Sequence, residues 1–76
     1  MLKNIMDYVV KSLVEDTASV AITVTQLGGK DVFEIQVGTQ DIGKVIGKDG
    51  QTIRALRMLV TALAPNGQEI EVTIIK

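Results

Sequence analysis

The chain has no cysteine, no histidine and no tryptophan, and its 76 residues include one proline and two aromatics, Tyr8 and Phe33. Without cysteine, neither a disulfide framework nor thiolate chemistry is available. Without histidine, the commonest general base and metal ligand are both missing. The carboxylates are scattered, with no paired pattern for acid–base work and no metal-ligand spacing. The hydroxyls have no histidine to activate them. The composition therefore points away from an enzyme, and it implies no cofactor and no metal. No apolar run approaches the ~20 residues that span a bilayer. The start, Met-Leu-Lys-Asn followed by Asp7, Glu15 and Asp16, lacks the basic and apolar regions of a signal peptide. The expected location is the cytoplasm.

What is present suits one small folded domain spanning residues 1–76, with 46% hydrophobic and 22% charged residues. A chain this short buries only ~60% of the surface its unfolded form exposes, so self-association is a common supplement. The net charge is −1, which alone argues against a nucleic-acid partner. Its distribution argues the other way. Residues 1–38 hold three lysines against five carboxylates, a balance of −2, whereas residues 44–57 hold Lys44, Lys48, Arg54 and Arg57 against Asp49 alone, a balance of +3.

Leu2, Ile5, Met6, Val9, Val10, Leu13 and Val14 recur at helical spacing and predict an amphipathic helix with a core-facing stripe. Val20, Ile22 and Val24 alternate with polar or small residues, as do Phe33, Ile35 and Val37, and Gly28-Gly29 lies between the two runs. That pattern predicts an antiparallel hairpin. A short helix from Thr39 or Gln40 to Ile46 follows, then a glycine loop and a longer helix from Gln51 to about Ala64. Pro65-Asn66-Gly67 ends that helix, and Ile70, Val72 and Ile74 alternate in a last strand. A helical crossover makes the last strand parallel to the second. The expected fold is α+β, in the order α-β-β-α-α-β, with a three-stranded mixed sheet carrying three helices on one face.

The stretch from Ile42 to Ile53, IGKVIGKDGQTI, carries the functional signal. Gly47-Lys48-Asp49-Gly50 sits at the start of the long helix, where backbone N–H groups lack partners and the helix dipole favours an anion. Glycine at both ends lets a sugar–phosphate backbone come close, and Lys48 adds a full positive charge. Gly43, inside a short helix, either packs closely against another element or leaves room for a ligand. On the long helix Ile53, Leu56, Leu59, Val60 and Leu63 are expected in the core. Gly50, Arg54, Arg57 and Thr61 form a neighbouring basic stripe. Ala55, Met58 and Ala62 form a third face, for packing within the monomer or for a homodimer contact. A P-loop is excluded, because only three residues separate Gly43 from Gly47 and Lys48 is followed by Asp49 rather than Ser or Thr.

Val45-Ile46-Gly47-Lys48-Asp49-Gly50-Gln51-Thr52-Ile53 matches V-I-G-x-x-G-x-x-I, and the chain thereby resembles KH domains. One helix and a hairpin before the motif, with a single strand after it, resemble the type II arrangement. Over its whole length the chain is similar to the bacterial KhpA family of lone type II KH domains. That resemblance implies single-stranded RNA binding, a homodimer or a heterodimer with a KhpB-like KH protein, and RNA chaperone activity tied to cell-wall synthesis and cell length. It implies that Gly47, Lys48, Asp49 and Gly50 clamp the backbone of about four nucleotides. Ile42, Gly43, Lys44, Val45 and Ile46 would line one wall of the groove, residues around Val72 the other, with Arg54 and Arg57 extending the charge. The competing expectation is a KH fold kept as a protein-interaction or dimerisation subunit with little RNA affinity.

Overall fold

A computed structural model describes residues 1–65 and 67–75. Helix α1 (Leu2–Leu13) comes first, then strands β1 (Ala21–Leu27) and β2 (Lys30–Gln36), helices α2 (Ile42–Ile46) and α3 (Gln51–Leu63), and strand β3 (Glu69–Ile75). Single 3₁₀ turns at Thr17–Ser19, Thr39–Asp41 and Lys48–Gly50 join them. The sheet order is β1-β2-β3, antiparallel between the first two strands and parallel between β2 and β3. This is the predicted α+β arrangement, a type II KH topology.

The hairpin strands run longer than the alternation suggested and meet at the glycines, with Leu27 paired to Lys30. Gly28 and Gly29 both have positive φ, 58° and 86°, as a two-residue type I′ turn requires. The inward residues of the sheet, Ile22, Phe33 and Ile35, are buried against Met6 and Val10 of α1, Val45 of α2 and Leu56 and Val60 of α3. Each such large side chain contributes ~1.5–3 kcal/mol by leaving water. Ile70, Val72 and Ile74 of β3 pack half-buried on the same side. Among the described residues no helix covers the opposite face; Thr23, Thr25, Glu69 and Glu71 stand exposed on it around the buried Val32.

The α3 stripe departs from expectation. Leu56 and Val60 are buried, but Leu59 and Leu63 remain 38% and 45% exposed. Width explains it. Three strands span only about 10 Å between their outer axes, close to one helix diameter. Two long helices sharing that face cannot both bury a full apolar arc, and α1 likewise leaves Leu13 37% exposed. The helix stops at Leu63 and Gly67 adopts a positive φ of 84°. Asn66, in the middle of the expected turn, lies outside the described residues.

Candidate functional site

The 47–50 loop owes its shape to three successive constraints. Gly47 has φ 77° and ψ 171°, a region open essentially only to glycine. A Cβ there would lie 2.2 Å from Thr52 Oγ1 and 2.8 Å from the Thr52 backbone nitrogen. Asp49 adopts the left-handed conformation (φ 56°, ψ 25°), which aspartate tolerates better than most side chains. Gly50 follows with φ 74° as the residue preceding α3. The turn is closed by the Gly50 N–H donating to the Gly47 carbonyl at 3.1 Å, and α2 ends with the Gly47 N–H donating to Gly43 at 2.8 Å.

These bonds leave the N–H groups of Lys48 and Asp49 with no backbone acceptor among the described residues. No side chain caps the start of α3 either. The loop therefore offers unpartnered donors at the positive end of a 13-residue helix. Lys48 and Asp49 are both exposed there, so their opposite charges stand side by side in water. Arg54 and Arg57 continue the positive surface along α3, both exposed and without an ion pair among the described residues.

The sequence left two explanations for Gly43, and the structure separates them. Among the described residues a Cβ built on Gly43 meets nothing within 4 Å, and the residue is exposed. Close packing within the monomer is excluded. Ile42 and Ile46, half-buried, flank the same short helix. Val45 is different: its side chain is wholly buried in the core, so it supports the wall from beneath rather than lining it. Phe33 is also buried in the core and Tyr8 is exposed on α1, so neither belongs to the α2 surface around Gly43.

Lys44 points to the other side of α2. Its ammonium is ion-paired with the Glu15 carboxylate and lies 3.5 Å from Asp41 Oδ1. Asp41 is the one buried charged side chain among the described residues, 0% exposed at the start of α2. The N–H groups of Glu15 and Asp16 donate to its Oδ1 and Oδ2, each at 3.1 Å. Those two backbone donors, from Asp16 first and Glu15 second, hold the Asp41 carboxyl below the usual carboxylate range; Lys44 adds to the effect and burial opposes it. The hydrogen bond to Glu15 raises the Lys44 ammonium above its ordinary value, against partial desolvation, with Asp41 assisting. Sequence reasoning missed Asp41, Glu15 and Thr52. Asp41 fell inside the short helix expected from Thr39 or Gln40, and nothing local named a partner 25 residues upstream.

On the far side of α3, Ala55, Met58 and Ala62 are exposed, Met58 by 66%. Leu59 and Leu63 join them, so residues 55, 58, 59, 62 and 63 make an apolar stripe at helical spacing that faces away from the core. The basic stripe and this apolar stripe flank the buried arc of α3 on opposite sides.

Comparison with known proteins agrees with the motif and the topology. The family model described as KhpA/KhpB, KH domain, matches residues 3–75. A protein named RNA-binding protein KhpA from Thermotoga maritima is 33% identical over 75 residues, 99% of this chain and 100% of the relative. Proteins of the same name from Leifsonia xyli and Streptomyces coelicolor are 37% and 35% identical, over 99% and 93% of this chain and 97% and 90% of their own. No solved structure matches the chain. The family model spanning residues 3–75 and relatives above 30% identity over nearly the whole chain show that the chain belongs to the KhpA/KhpB KH-domain family.

Proposed function

We propose that this protein is a non-catalytic RNA-binding module. It grips single-stranded RNA between the 47–50 loop and the α2 surface around Gly43. The carrying observation is Gly43 itself. Glycine inside a helix costs about 0.5–1 kcal/mol relative to alanine, and here no protein atom needs the space that the missing side chain leaves. A ligand lying flat along α2 explains it. Unpartnered N–H groups of Lys48 and Asp49, with Lys48, Arg54 and Arg57, supply the phosphate contacts. Ile42 and Ile46 offer apolar surface to the bases. With no aromatic beside the groove, stacking adds little, and binding by one copy is weak and modestly specific. The names of the KhpA relatives, RNA-binding proteins, support the same reading.

The test is a salt titration with a labelled single-stranded RNA. Measurable binding at low ionic strength that declines steeply as salt rises is expected. Absence of binding at low salt would overturn the proposal and favour the second reading, a protein-interaction subunit.

That second reading draws on the exposed stripe of Ala55, Met58, Leu59, Ala62 and Leu63. We assign it to a dimer contact, with a second copy or with a KhpB-like KH protein. Two linked grooves would raise RNA affinity through effective concentration. Met58→Asp should move the sedimentation coefficient to that of a monomer that keeps its secondary structure, with a melting temperature that no longer depends on protein concentration. RNA chaperone activity and a link to cell-wall synthesis and cell length rest on the family resemblance, and a cytoplasmic location rests on the sequence's lack of a signal-peptide pattern and of a long apolar run.

A further inference from the structure

We infer that Asp41, with Lys44 and Glu15 as its partners, is a positioning brace that sets the RNA-binding face of α2, and that Lys44 serves this brace and does not contact RNA. The inference rests on the RNA-binding reading above and adds residues to it that touch no ligand.

Helix α2 has five residues, far too few to hold its own shape or direction in water. Its orientation must come from tertiary contacts. Val45 is its one fully buried side chain, an apolar knob that fixes how deep the helix sits. Ile42 also packs half-buried against the core, but apolar contacts are non-directional and hold the helix's rotation only loosely. Asp41 supplies the second anchor at the start of the helix. Both carboxylate oxygens are committed, one to each of two consecutive backbone N–H groups in the turn after α1. Bidentate bonds to a fixed backbone are directional in a way that apolar packing is not. Two anchors define an axis, and that axis places Gly43 and the 47–50 loop.

The brace also accounts for Lys44. The basic cluster at 44–57 contains four cations of similar appearance in sequence, yet Lys44 is bound to Glu15 and lies beside Asp41, behind the helix. Two carboxylates and one ammonium leave that side with net negative charge, unsuited to a phosphate. The clamp's own cations are Lys48, Arg54 and Arg57.

The test compares wild-type protein with Asp41→Asn, Lys44→Gln and Lys48→Gln, well below each melting temperature, by amide NMR spectra and by titration of a labelled oligouridylate across ionic strengths. Asp41→Asn turns one acceptor into a donor facing an N–H group. It should shift the amide resonances of Gly47 to Gly50, remote from the substitution, and weaken RNA binding several-fold at unchanged salt slope. Lys44→Gln should also leave the slope unchanged, whereas Lys48→Gln should lower it by about one, the loss of one phosphate contact. Amide changes confined to residues 15–16 and 41–44, wild-type affinity in folded Asp41→Asn, or a slope loss for Lys44→Gln equal to that of Lys48→Gln would each overturn the inference. If Asp41→Asn does not fold, the exposed Lys44→Gln variant decides through its slope and its 47–50 amides. If wild-type protein binds no oligouridylate at low salt, the RNA reading fails separately, and the 47–50 amide shifts still decide whether the brace sets the loop.

Discussion

The two sides of α2 are built on opposite principles. Behind the helix the charged groups are paired: Asp41 accepts two backbone N–H groups, and Lys44 lies between two carboxylates. In front, Gly43 has empty space above it and the N–H groups of Lys48 and Asp49 are left open. A satisfied surface holds the protein to itself, and an unsatisfied one is kept for something else. Five residues of helix separate the two, so what is done to either side should be felt differently by folding and by binding.

The largest expected effect comes from Gly47→Ala, which breaks the front side mechanically. The backbone there is strained for any side chain by ~1–3 kcal/mol, and the new Cβ collides with the Thr52 backbone. RNA binding should be lost, and the melting temperature should fall by about 4–8 °C for each kcal/mol in a domain of this size. Gly43→Leu should separate the two properties. It improves helix propensity by up to about 1 kcal/mol, and its Cβ meets no protein atom within 4 Å among the described residues. The melting temperature should hold or rise while RNA affinity falls sharply. A variant that binds as well as wild type would show that no ligand passes over Gly43.

Acid probes the back side. Because its folded pKa lies below its unfolded one, Asp41 contributes stability that is fully present above about pH 4, the unfolded carboxylate range. That contribution is lost as pH falls through the lowered folded value. Denaturant melts from neutral pH downward should show a decline beginning near pH 4, and Asp41→Asn should be less stable at neutral pH with a flatter acid limb. The raised pKa of Lys44 acts in the other direction, giving stability present at neutral pH and lost only above its ordinary range, in strong alkali. The smallest effect is expected from Asp49→Asn. Asparagine keeps the left-handed conformation and removes the negative charge beside Lys48. RNA binding should tighten a few-fold at low salt, with the gain fading as ionic strength rises; unchanged affinity would place Asp49 outside the clamp.

Legibility followed the range of the physics. The Gly28-Gly29 turn, the alternation in the strands and the stripe of α1 are consequences of period and local φ, so they could be read directly. Gly47 and Gly50 were legible from their spacing among Val45, Ile46 and Ile53, whereas their positive φ emerged only in the fold. Leu59 and Leu63 were misplaced because helical period gives the direction a side chain points, not how wide a surface waits to receive it. Ile46 and Val45 are adjacent apolar residues, and only the assembled core of α1, α3 and the sheet decided that Val45 is buried whole. Lys44 and Lys48, four residues apart on similar ground, could not be told apart until Glu15 was brought across from the end of α1.

The sequence by itself determined the order of elements, the parallel pairing across the helical crossover, the place of the glycine loop and the sign of charge around it. Each of these depends on backbone sterics and on spacing of a few residues. Tertiary structure alone decided which cation stays free, that the room above Gly43 is open, that Asp41 anchors α2, and that one flank of α3 remains apolar and bare. Those outcomes depend on which distant surfaces meet and on how much area a three-stranded sheet can cover.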